Sequence, residues 1–132
     1  MIQIGKRVKK TKLFLILDDE KSIRQSIAAY MEDIGYTVFQ AASGEDALEI
    51  VKTHPIDDAV VDIRLPGIDG NIFMIEAKKI APDINFVIHT GSADYVISDS
   101  IAALGVTPEK VIIKPARDLE QIRQSLENEE DV

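Results

Sequence analysis

From residue 13 onward, apolar runs of strand length alternate with segments of helical period. Residues 13–17 are apolar without interruption, the pattern of a strand covered on both faces. Residues 21–34 then place Ile23, Ile27, Tyr30, Met31 and Ile34 on one helix face, and Gly35 suits the left-handed residue that follows a helix. Residues 37–41 read as a second strand. Ser43 with Asp46 three residues on resembles a capping box and opens a helix through Ala47, Leu48 and Val51 that stops before Pro55. A third strand occupies 58–62, and after the turn at 66–70 a third helix uses Ile72, Ile75, Lys79 and Ile80 and ends before Pro82. Residues 85–90 form a fourth strand. A fourth helix is predicted through Ala93, Ile97, Ile101 and Leu104, closed by Gly105, followed by a strand at 111–113 and a helix lined by Leu119, Ile122 and Leu126. Five strands alternating with five helices imply right-handed crossovers and a parallel sheet covered on both faces, a doubly wound α/β domain.

At 132 residues and 45% apolar content the chain is the size of one soluble domain, and no apolar run approaches the roughly 20 residues of a membrane span. Cysteine is absent, which excludes disulfides, Cys-ligated metals and thiol catalysis and fits a reducing compartment. No apolar segment of signal-peptide type follows the basic N-terminus, so the expected location is the cytoplasm. The net charge of −8 hides an asymmetry: residues 1–12 carry Lys6, Arg7, Lys9, Lys10 and Lys12 and no acid. The rest of the chain sets 10 basic against 23 acidic residues, and a body so acidic repels nucleic acid. The expected organisation is a basic leader at 1–11, one domain at 12–127 and an acidic tail or linker start at 128–132.

Chemistry collects where the strands end. In doubly wound sheets ligands bind at the carboxyl ends of the strands, and Asp18, Asp19, Asp62, Thr90 and Lys114 all sit there. Two carboxylates 4 Å apart repel by about 4 kcal/mol at an effective dielectric of 20, so such a cluster calls for a cation. Magnesium takes oxygen ligands from one or two carboxylates, a carbonyl and substrate phosphate. Asp62 can then act as a nucleophile toward phosphorus, with Lys114 neutralising phosphoryl oxygens and Thr90 donating a hydrogen bond. Each residue also has a plainer role available: Asp19 and Glu20 at a helix start, Asp62 before a turn, Thr90 as a strand residue, Lys114 as a surface lysine. The full set in one crevice favours the phosphate reading. His54 and His89 lack ligand spacing and read as structural or solvent-facing, and the glycines at 44, 67, 70 and 91 form no P-loop.

The combination of Asp18-Asp19-Glu20 after an apolar strand, residues 61–70 running Val-Asp-Ile-Arg-Leu-Pro-Gly-Ile-Asp-Gly, Thr90 at a strand end, and Lys114-Pro115 resembles the receiver domain of two-component response regulators, over roughly residues 12–127. The resemblance implies a flavodoxin-like (βα)5 sheet in the order 2-1-3-4-5. It implies that Asp62 accepts phosphate from a sensor histidine kinase or phosphotransfer protein. Asp18, Asp19, Asp62 and the Arg64 backbone carbonyl would hold Mg2+, Thr90 and Lys114 would sense the phosphoryl group, and Pro115 would follow a cis peptide bond. A signalling domain of this kind is not an enzyme, and its expected partner surface, for a homodimer or an output domain, is helix four, strand five and helix five. It contacts neither nucleic acid nor membrane directly.

Two features depart from the family pattern. Val111 stands where an aromatic residue usually lies three positions before the strand-five lysine, and residues 105–110 form a longer approach to that strand than is common. A phosphorylation-independent interaction module therefore stands as an alternative. An Mg2+-dependent phosphohydrolase with Asp18 or Asp19 as nucleophile is a further one, opposed by the absence of a cap insertion and by the Pro-Gly-x-Asp-Gly turn after Asp62.

Overall fold

The structure is a computed structural model that describes residues 11–130. The basic leader, Thr11 aside, and the last two residues of the acidic tail lie outside the described residues. In chain order the elements are β1 (Leu13–Leu17), α1 (Lys21–Asp33), β2 (Thr37–Ala41), α2 (Gly44–Thr53), β3 (Asp58–Val61), α3 (Gly70–Ile80), β4 (Asn85–Thr90), α4 (Asp99–Ala102), a 3-10 turn at Pro108–Lys110, β5 (Val111–Ile113) and α5 (Glu120–Glu130). All strands are parallel, in the order β2-β1-β3-β4-β5.

Alternate residues of the apolar strands feed two separate cores. Leu15, Leu17, Ala59, Val61, Phe86 and Ile88 face α2, α3 and α4, where Phe73 meets Phe86 edge-on at 6.1 Å. Phe14, Ile16, Val60, Val87 and Ile112 face α1 and α5, whose Ile27, Met31, Ile122 and Leu126 are buried against them. Burial on both faces is why these strands read as continuous apolar runs. Gly35 takes the left-handed φ of +109° expected after α1, and Ser43 caps α2 by accepting the Asp46 N–H at 3.1 Å.

Three sequence expectations are corrected. The fourth helix, expected through Ala93, Ile97, Ile101 and Leu104, is a single turn at residues 99–102. Upstream of it, local bonds compete with helix formation: Thr90 Oγ1 accepts the Ser92 N–H at 3.2 Å, and Ser98 Oγ accepts the Ile101 N–H at 3.3 Å, starting the helix late. The buried face of α3 is made by Gly70, Phe73, Met74 and Ala77, while Ile72 and Ile80 are 46% and 41% exposed. Gly70 sets that rotation: a Cβ there would lie 2.3 Å from the Asp62 carbonyl oxygen, so only glycine lets the helix start this close to the end of β3. Likewise Ile34 leaves the α1 stripe, and Ala28 is buried in its place.

Candidate functional site

The crevice above the carboxyl ends of β1, β3, β4 and β5 is an open cleft of about 420 Å³, walled by Asp19, Glu20, Asp62, Arg64, Thr90 and Lys114 together with the loop at 91–94. Parallel pairing delivers the acids to it. The Asp62 N–H donates to the Leu17 carbonyl at 2.9 Å, which aligns the ends of β3 and β1, and the Asp18 N–H donates to the Ala41 carbonyl at 3.1 Å. Asp18 is buried, its Oδ1 accepting the Glu20 N–H at 2.9 Å, and the Arg24 guanidinium donates to its backbone carbonyl at 2.8 Å. Asp19 is exposed. Asp62 is buried and its Oδ1 accepts the Ile63 N–H at 2.8 Å, leaving Oδ2 toward Lys114.

Lys114 is the electrostatic centre of the cleft. Its N–H donates to the Thr90 carbonyl at 2.8 Å, extending the pairing of β5 with β4, and the Lys114–Pro115 peptide bond is cis. Its ammonium lies 2.9 Å from Asp18 Oδ2, 3.0 Å from Asp62 Oδ2 and 3.1 Å from Glu20 Oε1. Burial disfavours the charged form of Lys114, but hydrogen bonds to Asp18, Asp62 and Glu20 outweigh it and hold the ammonium well above its ordinary range. Asp18 moves upward: burial is the main cause and the Asp62 charge adds to it, with the Glu20 N–H and Lys114 opposing.

The carboxylates of Asp18, Asp19 and Asp62 each offer an oxygen within 4.8 Å of the others, a hard, all-oxygen donor set of the kind that suits Mg2+. Exposed Asp19 and buried Asp62 border the cleft directly, whereas Asp18 is engaged by Lys114 and lies deeper. Thr90 is buried at the cleft wall and exposed Arg64 lies on the rim.

The structure thus brings Asp18, Asp19, Asp62, Arg64, Thr90 and Lys114 to one crevice. Three neighbours of the site were given no role in it by the sequence reading, which placed Glu20 at a helix start and His89 as structural or solvent-facing. Glu20 is a direct partner of Lys114, for which the run of three acids is the available signal. Arg24 braces the end of β1 one helical turn after Glu20. His89 is buried beside the charges of the site, with neither ring nitrogen hydrogen-bonded, and burial and Lys114 hold it neutral. His54 is exposed and its ring packs against Phe39 at a tilt of 46°, with centroids 4.5 Å apart.

Comparison with known proteins assigns the family and the fold. The model of the response regulator receiver domain matches residues 14–127, and the chain belongs to that family. It is 34% identical over 124 residues to the probable transcriptional regulator ycf27 of Cyanidium caldarium, covering 92% of this chain and 49% of that protein. The chain therefore spans about half the length of such curated relatives. Among solved structures, the CheY-like receiver domain protein of Methanospirillum hungatei superposes with a TM-score of 0.76 at 25% identity, over 92% of this chain and 95% of that one. The Thermotoga maritima response regulator TrrA, solved in complex with Mg2+–BeF, shares the fold with a TM-score of 0.76 at 24% identity, over 89% and 98%. No helix among the described residues is long and apolar enough to cross a membrane.

Proposed function

We propose that Asp62 is the phosphoacceptor and that this receiver domain takes a phosphoryl group from a sensor histidine kinase or phosphotransfer protein, relaying it as a change of conformation. The observation that carries the reading is the position of Asp62 Oδ2, at the wall of an open cleft and 3.0 Å from a lysine already paired with two further carboxylates. In the transfer, Asp62 Oδ2 attacks phosphorus, the bond from phosphorus to the donor imidazole breaks, and an acyl phosphate forms. Lys114 exchanges its contact with Oδ2 for one with a phosphoryl oxygen, keeping a positive charge where negative charge accumulates. Thr90 turns its hydroxyl toward the same group. Asp19, Asp62 and the Arg64 backbone carbonyl would hold Mg2+, with Asp18 positioned behind them by Glu20, Lys114 and Arg24. When bound, the ion offsets the charge on the transferring phosphoryl oxygens. A receiver of this kind acts in the cytoplasm and signals through α4, β5 and α5, where Ile113 is exposed on β5 and Val96 on the loop that leads into α4, to a second copy or an output domain.

The test is incubation with a small phosphodonor and Mg2+, followed by intact mass. Wild type should gain one phosphoryl group, labile to hydroxylamine, and Asp62→Asn should gain none. Label that persists in the variant would point to a nucleophile on β1. No label on either protein would favour an interaction module that signals by binding alone.

A further inference from the structure

Resting on the phosphoacceptor reading, we propose that Tyr95 is the readout residue of this domain: its hydrogen bond to Asn71 latches the segment between β4 and α4 onto the start of α3, and phosphorylation of Asp62 opens that latch. A continuous chain of contacts links Thr90 to the bond. Thr90 Oγ1 accepts the Ser92 N–H at 3.2 Å, the Ser92 carbonyl accepts the Tyr95 N–H at 3.1 Å, and the Tyr95 hydroxyl donates to Asn71 Oδ1 at 2.7 Å. Two hydrogen bonds within six residues make Thr90–Tyr95 a short lever, so a turn of Thr90 is passed along it.

Both ends of the lever are anchored at the site. Thr90 lies on the cleft wall with Asp62. Asn71 stands in the first turn of α3, where the Gly70 N–H donates to the Ile63 carbonyl at 2.9 Å, one residue beyond Asp62. The latch therefore closes a loop from phosphoacceptor to α3 to Tyr95 to Thr90. The Tyr95 ring is half-buried and packs against the core between the sheet and α3, which fixes the direction of its hydroxyl. Burial and the nearby Asp69 carboxylate raise the pKa of that hydroxyl, so it stays a donor to the Asn71 amide oxygen. Val111, on β5, has no polar group with which to report on Thr90, whereas Tyr95 has a hydroxyl with a partner on another element. To donate to a phosphoryl oxygen on Asp62, Thr90 must turn toward β3. That motion draws Ser92 with it and pulls the Tyr95 hydroxyl off Asn71.

The experiment is amide hydrogen exchange of residues 91–98 in wild type and Tyr95→Phe, each with and without phosphodonor and Mg2+, with intact mass reporting phosphorylation in the same samples. Tyr95→Phe keeps the ring and removes the bond. Without phosphate it should exchange roughly two- to tenfold faster in this segment than wild type, the scale of one net hydrogen bond. Phosphorylated wild type should rise to the same level, and phosphorylated Tyr95→Phe should rise no further. Asn71→Ala should reproduce the Tyr95→Phe result, and the double variant should add nothing. The proposal is overturned if Tyr95→Phe exchanges like wild type without phosphate, or if the variant gains the phosphoryl mass and keeps the full response. Wild type that gains no mass overturns the phosphoacceptor reading itself, and the trigger with it; the mass measurement tells that failure from the others.

Discussion

Replacing Lys114 by methionine removes one cation that faces three anions and keeps most of the aliphatic stem. The Lys114 side chain is 14% exposed, and those of Asp18 and Asp62 are 3% and 7% exposed. Without the ammonium, two buried carboxylates confront each other, and breaking a buried ion pair by removing one partner costs about 3–5 kcal/mol. Partial solvent access at the cleft and the exposed position of Glu20 place the expected loss near the lower end, about 3 kcal/mol at pH 7, or roughly 10 °C in Tm for a domain of this size. The pH dependence has a defined sign. Asp18 already has a raised pKa in the folded state, and removing Lys114 deletes one of the interactions that opposes the rise. A carboxyl whose folded pKa is raised contributes stability that is present at low pH and lost as pH rises through that pKa. The deficit of Lys114→Met should therefore be largest at neutral pH and shrink on acidification, as Asp18 takes up a proton in the fold. Urea denaturation from pH 7 to pH 5, without divalent ion and then with Mg2+, measures both effects, and Mg2+ should restore part of the loss. A variant within about 0.5 kcal/mol of wild type at pH 7, or a deficit that does not change with pH, would refute the assignment of Lys114 as the counterion of Asp18 and Asp62.

Asp19→Asn should weaken Mg2+ binding by roughly tenfold or more, since even outer-shell partners of metal ligands are worth 10–100-fold, while leaving stability near wild type; titration by calorimetry reads the first and denaturation the second. Asp58 is fully buried, held by Asn85 Nδ2 at 3.2 Å and the Tyr36 hydroxyl at 3.3 Å with Lys12 Nζ 3.9 Å away, and burial outweighs these partners and raises its pKa. Asp58→Asn should thus gain stability at pH 7, by less than about 1 kcal/mol, with the gain fading as pH falls through the folded pKa of Asp58 toward 3.8, as pH-dependent denaturation would show. Gly70→Ala should cost about 1–3 kcal/mol, at the upper end because the clash is with the backbone at Asp62 and Ile63, and should lower the phosphorylation rate of Asp62 in the mass assay.

How much of this was legible in the sequence follows from what each feature depends on. The strands were readable because burial on both faces leaves only apolar residues in them, and the acids were readable because each follows such a run directly. For the same reason His89 was obscure: in a strand with no exposed face there is no alternation to say whether a polar residue points to solvent or into the core. The α3 face was misassigned because its orientation is set by Gly70 against the Asp62 carbonyl, a contact between backbones that apolar periodicity does not encode. The short α4 reflects side-chain to backbone bonds at Thr90 and Ser98 that override a helical spacing of apolar residues. Glu20 with Lys114 and Tyr95 with Asn71 are pairs made by topology, 94 and 24 residues apart, so local pattern, which flags Glu20 as one of three acids, does not say what either residue pairs with.

The close approach at Gly70 makes the surroundings of Asp62 mechanically unequal. On one side the end of β3 rests against the first turn of α3 with no side chain between them, and the Gly70 N–H bond to the Ile63 carbonyl closes that seam. Close-packed backbone is nearly incompressible, so this seam has little room to yield. On the other side residues 91–98 join β4 to a helix of a single turn and present Val96 to solvent at 79% exposure. Added volume at Asp62 would therefore meet a tightly packed seam in one direction and a segment with little regular structure in the other. Displacement would be rectified: strain from a group added at Asp62 would be directed toward the segment between β4 and α4.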